Sequence, residues 1–465
     1  MKHAAVLVIL IAVAWGMSRG VVYHAPYGYD EADYMFAAGL GMADNWLDSG
    51  SMPISDFVSV GRKRGSDSGQ QAGLSALARS GSDPVVYRHW HGPLYFFWLN
   101  AVANLGLSEH GTRALFLIFP LLTGCAIYFG TLRLFEGLQG QVAAVVASAM
   151  FLWSPISLES SEIAPHLMFV LWYVCALLLL AHVALRGSRR SFYAAVLLAG
   201  LAFCTLEVAF VLILVLLFVG WWKRAALRTD LKLIRNSILL FLATVLIVWP
   251  AAVFKLSFAK AYMVMAYLAV FRKGAWGDVT FSQTWIRRFE MTPAELVLVA
   301  IGLVLIFAAM SRRDRAAVMP FLLFGILMLL ATLRVYAFTA RYMTPFLPAF
   351  DVIAGWALAS AILRLKKPAA VYGAAGIAAL LLVWNAEQRF STLNRGEDPT
   401  AFAAINAIRA RGLGDKAVLV PRDDIPTMHY YFPHMQTEGY AEVSEIPPAG
   451  SFAAVVYPDG RVESR

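Results

Sequence analysis

Long, uninterrupted apolar runs constrain this chain more than any other feature. Crossing a hydrocarbon core takes roughly 20 apolar residues as helix, and runs of that kind recur along the chain as far as Asn385. They do not alternate apolar with polar residues as barrel strands do, so helices are the only spanning elements the pattern allows. Composition agrees: of 465 residues, 59% are hydrophobic and only 15% charged, where a soluble domain carries about a quarter charged. The mean hydropathy is +0.63.

Spans are expected near 4–22, 113–134, 139–158, 166–185, 192–206, 207–222, 236–254, 294–310, 317–335, 343–363 and 368–385. The fold class is therefore an all-α polytopic membrane protein of about 11 transmembrane helices. The net charge of +9 raises the question of a nucleic-acid partner, and its location answers it. The positive residues gather in short loops, at Lys2, Arg133, Arg186–Arg190, Lys223–Arg235, Arg312–Arg315 and Arg364–Lys367. With an uncleaved first span and a cytoplasmic N-terminus, all of these loops fall on the cytoplasmic side, as the positive-inside rule requires. No nucleic acid is implied. The expected location is the plasma (inner) membrane, multi-pass, with the C-terminus extracytoplasmic.

One pair of spans follows from charge rather than hydropathy. Phe192 to Trp222 is unbroken, about 46 Å as one helix at 1.5 Å per residue. Basic clusters flank it on both sides, so an even number of crossings must lie between them. The run is read as a hairpin turning near Cys204–Glu207, with Glu207 at the outer turn. Cys125, Cys175 and Cys204 all lie inside apolar runs and imply no disulfide framework.

Two regions are expected: residues 1–385 as the transmembrane domain and 386–465 as a small extracytoplasmic α/β tail. The first extracytoplasmic loop, 23–109, holds an amphipathic stretch from Asp30 to about Leu47. A Gly/Ser/Arg-rich segment follows near Gly61–Ser82, then a short apolar helix near Pro93–Leu107 that suits the membrane interface. A second segment, Lys255 to Thr292, carries Lys255, Lys260, Arg272, Lys273, Arg287 and Arg288. In the tail, Ala401–Gly412 has a helical pattern, and Ala417–Pro421 and Phe452–Pro458 have strand patterns. No internal repeat is visible.

Chemistry-bearing residues gather on the outer side. Asp30–Glu31 opens the amphipathic helix, where acids also complement a helix dipole. His89 and His91 flank Trp90 just before Pro93, and are the candidate ligands for a divalent metal. Ser154-Pro155 and then Glu162 to His166 lie beyond the third span. Arg341 to Pro348 enters the tenth, and a cation at membrane depth commonly faces an anion.

In this order the elements resemble the dolichyl-phosphate-mannose–protein mannosyltransferase-like superfamily. This GT-C group includes lipid A aminoarabinose transferases and rhizobial galacturonosyltransferase-like domains. Asp30-Glu31 matches its acidic pair, and His91-Gly92-Pro93-Leu94-Tyr95-Phe96 its H-P-P-L-Y-Y stretch. Ser108-Glu109 to Arg113-Ala114-Leu115 matches S-E-x-x-x-R-L. Ser154-Pro155 with Glu162 to His166 matches S-P…E-A-R-P-Y, Thr205-Leu206-Glu207 a T-K-E-like turn, and Arg341 to Pro348 an R-Y-L-L-P-L-L-P segment. The likeness covers roughly residues 1–365. Gly92 departs from the family's first proline, Leu206 from a common lysine and His166 from tyrosine. Trp90-His91 stands where the aminoarabinose branch has Glu-Lys.

The resemblance implies an inverting glycosyltransferase that moves a monosaccharide from a polyprenyl-phosphate donor to a hydroxyl of a lipid, glycan or protein acceptor. Such a reaction needs a base at the acceptor hydroxyl and cations at the departing phosphate. Asp30 is the expected base, with Glu31 second and Glu162 positioning the acceptor. Arg341 is expected to pair with the phosphate, assisted by His91 and by Lys255, Lys260 or Arg272. The rival class is a transporter or flippase for an envelope precursor, whose polar residues belong in a midplane cavity. A non-catalytic envelope scaffold is the third reading.

Overall fold

The computed structural model describes residues 2–18, 25–47, 91–154, 163–254, 297, 299–304, 311–335, 347–365, 367–393, 402–421, 424–440, 442–447 and 452–465. The principal helices are α1 (Lys2–Ser18), α2 (Tyr29–Gly39), α3 (Met42–Leu47), α4 (Pro93–Ala103), α5 (Glu109–Phe116), α6 (Ile118–Leu134), α7 (Gly137–Leu152) and α8 (Pro165–Arg186). They continue as α9 (Arg189–Phe203), α10 (Phe210–Trp222), α11 (Leu231–Val248), α12 (Arg312–Val335), α13 (Leu347–Arg364) and α14 (Pro368–Leu393). The protein is an integral membrane protein, mostly helical, with a small sheet near its C-terminus.

Described helical residues fall within each of the eleven expected spans. Among the described residues, four helices, Glu109–Leu134, Pro165–Arg186, Leu231–Val248 and Leu347–Arg364, are long and apolar enough to cross a membrane by length and composition. The Phe192–Trp222 run is broken where charge parity required, with a turn over 204–206 between α9 and α10. Other boundaries moved for local reasons. The amphipathic stretch splits into α2 and α3 at Gly41, whose φ of +104° no L side chain adopts easily. The short apolar helix stops at Ala103, with Gly106 at φ +62° in the turn that follows. Helix α7 ends at Leu152, shortly before Pro155, because the residue ahead of a proline disfavours helix.

Small residues let the bundle close tightly, as in other membrane interfaces. A Cβ on Gly355 of α13 would lie 2.6 Å from the Ala143 carbonyl oxygen of α7. At one end of the bundle, Arg313 pairs with Glu136 at 2.5 Å and Arg189 with Asp230 at 3.2 Å. These pairs tie together loops that carry the basic residues. At the other end, the Trp46 indole N–H of α3 donates to the Ile247 carbonyl at the last turn of α11 (2.8 Å). The Leu94 amide of α4 donates to the Cys204 carbonyl at the α9–α10 turn (3.1 Å). Helices α2, α3 and α4 therefore lie over the end of the bundle opposite the basic loops.

The C-terminal residues form a four-stranded sheet of order β2-β1-β3-β4, from β1 (Ala417–Pro421), β2 (Gln436–Tyr440), β3 (Ala454–Val456) and β4 (Val462–Ser464). The first three strands are parallel and β4 pairs antiparallel with β3. Helices α15 (Ala403–Ala410) and α16 (Ile425–Tyr431) accompany the sheet. Ile405, Ile408, Val418, Val420, Ile425 and Met428 form its core.

Candidate active site

The site end of the bundle is organised around α2. Its underside buries Ala32, Tyr34 and Met35 against Tyr95, Phe96 and Leu99 of α4, Phe116 of α5 and Ile163 and Leu167 beside α8. Edge-to-face aromatic contacts, such as Tyr34–Tyr95 at 5.5 Å, fix their relative rotation.

The two acids at the start of α2 have different surroundings. Glu31 is buried and its carboxylate collects four donors. Arg113 Nε donates to Oε1 at 3.0 Å and Arg113 Nη2 to Oε2 at 2.5 Å. The Gly28 amide donates to Oε2 (3.2 Å) and the Ile163 amide to Oε1 (3.0 Å). Reaching back from the third helical position to the amide ahead of the helix is half of a capping box. Arg113 also donates to the carbonyls of Ala25 (2.8 Å) and Pro26 (3.0 Å). Glu31 thus staples α2, α5 and the start of α8 together. Asp30 is only partly buried, and Asp33, one turn on, is buried. The three acids of α2 therefore do not share one environment, and Asp30 is the one that is partly exposed.

His91 is buried, and its Nε2 shares a hydrogen bond with the Tyr34 hydroxyl at 3.1 Å. The next residue explains a departure from the family pattern. Gly92 has backbone angles a proline could adopt, yet a Cβ there would lie 2.0 Å from the Cys204 carbonyl oxygen. The chain meets the α9–α10 turn with no room for a side chain. Among the described residues, no three His, Cys, Asp or Glu side chains gather to hold a metal. His89, Glu162, Lys255, Lys260, Arg272 and Arg341 lie outside the described residues, as does the side chain of Glu207.

Several residues at this end escaped the sequence reading. Arg113 stands in the sequence as the start of a span and as part of the S-E-x-x-x-R-L match, with no partner assigned, although an arginine heading an apolar run is a signal in itself. Asp351, fully buried on α13, is another acid inside an expected span. The C-terminal helix α16 packs directly on the segment ahead of α2. Tyr430 meets the Tyr27 ring edge-to-face at 5.2 Å, and the Thr427 hydroxyl donates to the Tyr27 carbonyl at 2.9 Å. The Tyr431 hydroxyl donates to Glu109 Oε1 at 2.6 Å and accepts from the Tyr27 amide at 3.2 Å. Burial, above all, pushes the Tyr27 phenol up to about 12. Burial and the bond donated to Glu109 raise Tyr431 further.

A helical membrane bundle capped at one end by short helices and a small C-terminal sheet is a fold that this chain shares with solved membrane-protein structures. Among solved structures, ArnT from Cupriavidus metallidurans bound to undecaprenyl phosphate superposes over 94% of this chain and 86% of its own, with TM-score 0.61 and 15% identity. The apo Archaeoglobus fulgidus oligosaccharyltransferase superposes over 94% of this chain with TM-score 0.58 and 13% identity. Archaeal AglB from the same organism, in complex with an inhibitory peptide and a dolichol-phosphate, gives 0.55 and 13% over 95%. This chain spans 64% of those two archaeal chains. No protein-family model matches the sequence, and no curated protein matches it. At these identities the likeness establishes the fold.

Proposed function

We propose that this protein is a glycosyltransferase that moves a monosaccharide from a polyprenyl-phosphate carrier to an acceptor hydroxyl at the extracytoplasmic face. The observation that carries the reading is the division of labour on α2. Glu31 carries four hydrogen bonds that hold the start of the helix, while Asp30 beside it is only partly buried. That arrangement sits in a fold whose solved neighbour binds undecaprenyl phosphate. A base is most useful when its position is set by groups other than itself.

In the proposed step, Asp30 takes the proton of the acceptor hydroxyl as that oxygen attacks the anomeric carbon. The bond from that carbon to the phosphate oxygen breaks, and the anomeric configuration inverts. The departing polyprenyl phosphate gains negative charge, which Arg341 meets with two parallel N–H donors. His91, Lys255, Lys260 and Arg272 are the further candidates at the phosphate, and Glu162 positions the acceptor. One crossing from a cytoplasmic N-terminus would carry Asp30 to the outside of the plasma (inner) membrane, and eleven would carry the C-terminus there as well. The acceptor is a lipid, glycan or protein.

A transporter would need its acids in a midplane cavity. Glu31 and Asp33 instead lie over one end of the bundle, and Asp351 is close to the start of α13. The test is chemical. Protein purified into lipid nanodiscs is extracted for co-purifying lipid, the sugar-phosphate lipid is identified by mass spectrometry, and its turnover is followed with envelope extract as acceptor. Release of free polyprenyl phosphate together with a glycosylated acceptor is expected. A carrier lipid that is bound and moved between leaflets with its sugar intact would make the chain a flippase.

A further inference from the structure

The contact between the C-terminal module and the start of α2 is more specific than packing requires. Tyr431 is the last residue of α16, and its hydroxyl is used in both directions, donating to Glu109 and accepting from the Tyr27 amide. Thr427, one turn earlier, takes the Tyr27 carbonyl. Both backbone polar groups of Tyr27 are thus held by one short helix from the far end of the chain. The neighbouring groups are held from the bundle side and from α2 itself: Arg113 of α5 takes the carbonyls of Ala25 and Pro26, and Glu31 takes the Gly28 amide. The Tyr430 and Tyr431 rings close over Tyr27, the second stacked at 6.5 Å, and the Arg409 guanidinium lies 5.8 Å from the Tyr431 ring. Three residues beyond Tyr27 stands Asp30.

We infer that Tyr431 is a positioning residue: through Tyr27 it sets the backbone that carries Asp30, and the C-terminal module is the clamp that delivers it. The inference rests on Asp30 being the base of the proposed transferase. Two sets of bonds converge on residues 25–28, one from α5 and one from α16. Bonds from a single side would leave the strand ahead of α2 free to pivot about that side. Displacement of a reacting group by about 1 Å costs on the order of 10²-fold in rate, so a pivot there is felt at the carboxylate. Glu109 belongs to the device as the acceptor that orients the Tyr431 hydroxyl. Its position, directly after the capping Ser108 of α5, ties the clamp to the helix that also supplies Arg113.

The experiment uses the full chain in nanodiscs and compares Tyr431→Phe, Glu109→Ala and Glu109→Gln. The phenylalanine keeps the stacked ring and removes both hydroxyl bonds. Glutamine keeps an oxygen that can accept from Tyr431, and alanine does not. Hydrogen exchange over residues 25–33 reads the clamp without any reaction. It should quicken in Tyr431→Phe and Glu109→Ala, stay near wild type in Glu109→Gln, and change little in α7 and α8. Turnover should fall about 10- to 100-fold in the first two variants, with donor affinity unchanged and Glu109→Gln close to wild type. Unchanged exchange over 25–33 in Tyr431→Phe overturns the clamp. So does quickened exchange with undiminished turnover, because the module would then dock without setting Asp30. A wild-type protein that transfers no sugar would sink the transferase reading instead. The exchange arm would still show whether Tyr431 holds Tyr27.

Discussion

Arg113 closes on both carboxylate oxygens of Glu31, with Nε at 3.0 Å and Nη2 at 2.5 Å, and the two side chains are about 1% and 6% exposed. Removing one partner leaves the other charge buried without its counter-ion, which costs about 3–5 kcal/mol. Glu31→Ala and Arg113→Ala should each lower the thermal unfolding midpoint of the purified protein substantially, and the double variant should be less impaired than the sum. A midpoint near wild type in both single variants would mean that the pair is not desolvated.

How much of this was legible in the sequence depends on how far apart the cooperating residues lie. The α9–α10 turn was legible because charge parity is a property of neighbouring loops. The helix over 403–410 and the strands at Ala417–Pro421 and within 452–458 were legible because their patterning is local. Strand β2 and helix α16 were not anticipated, since their short runs carry weak periodicity. Glu31 was visible as an acid at a helix start, but its partner is 82 residues away. Nothing in the spacing distinguishes a stapled glutamate from a reactive one. Asp30 and Asp33 look equivalent in sequence, and only the folded chain buries Asp33 and leaves Asp30 partly exposed.

Asp30→Asn keeps the shape of the side chain and removes its ability to take a proton. Transfer should fall by on the order of 10²–10⁴-fold, while the unfolding midpoint and donor binding stay close to wild type. This separates Asp30 from Glu31, whose replacement should cost stability first. A fully active Asp30→Asn would remove Asp30 from the chemistry and leave the fold untouched.

Arg341→Ala should weaken binding of the polyprenyl-phosphate donor, measured by equilibrium binding of a labelled lipid. Arg341→Lys should recover part of it, because a point charge replaces the planar two-pronged donor. Donor affinity equal to wild type in the alanine variant would exclude Arg341 from the phosphate site.

Gly92→Ala tests the closeness of α4 to the α9–α10 turn. A Cβ at 2.0 Å from a backbone oxygen cannot be accommodated by rotating a side chain, so α4 must shift. A loss of about 1–3 kcal/mol is expected. Gly92→Pro, the residue found there in the superfamily the sequence resembles, should be no better. A wild-type unfolding midpoint in Gly92→Ala would show that the approach is looser than described.

Alkaline pH should loosen the clamp. The Tyr27 phenol is pushed up to about 12, chiefly by burial, with Tyr430 and Glu109 adding to the rise and Thr112 and Arg113 opposing it. Below the ordinary tyrosine value of about 10, docked and undocked states are both protonated and the contact is fully present. Above it the undocked phenol ionises while the docked one must keep its proton, so docking weakens as pH climbs from about 10 to about 12. Protease release of the C-terminal module should accelerate across that window, and less so in Tyr27→Phe. A release rate independent of pH there would contradict the sign.

The bond between the Tyr27 amide and the Tyr431 hydroxyl joins residues 404 positions apart. A ribosome therefore delivers Tyr27 404 residues ahead of Tyr431. Until α16 emerges, the segment ahead of α2 is held from the α5 side alone. A product that stops before α16 can carry every apolar helix and still leave that segment half supported, so the order in which the chain is made sets the order in which its parts are held.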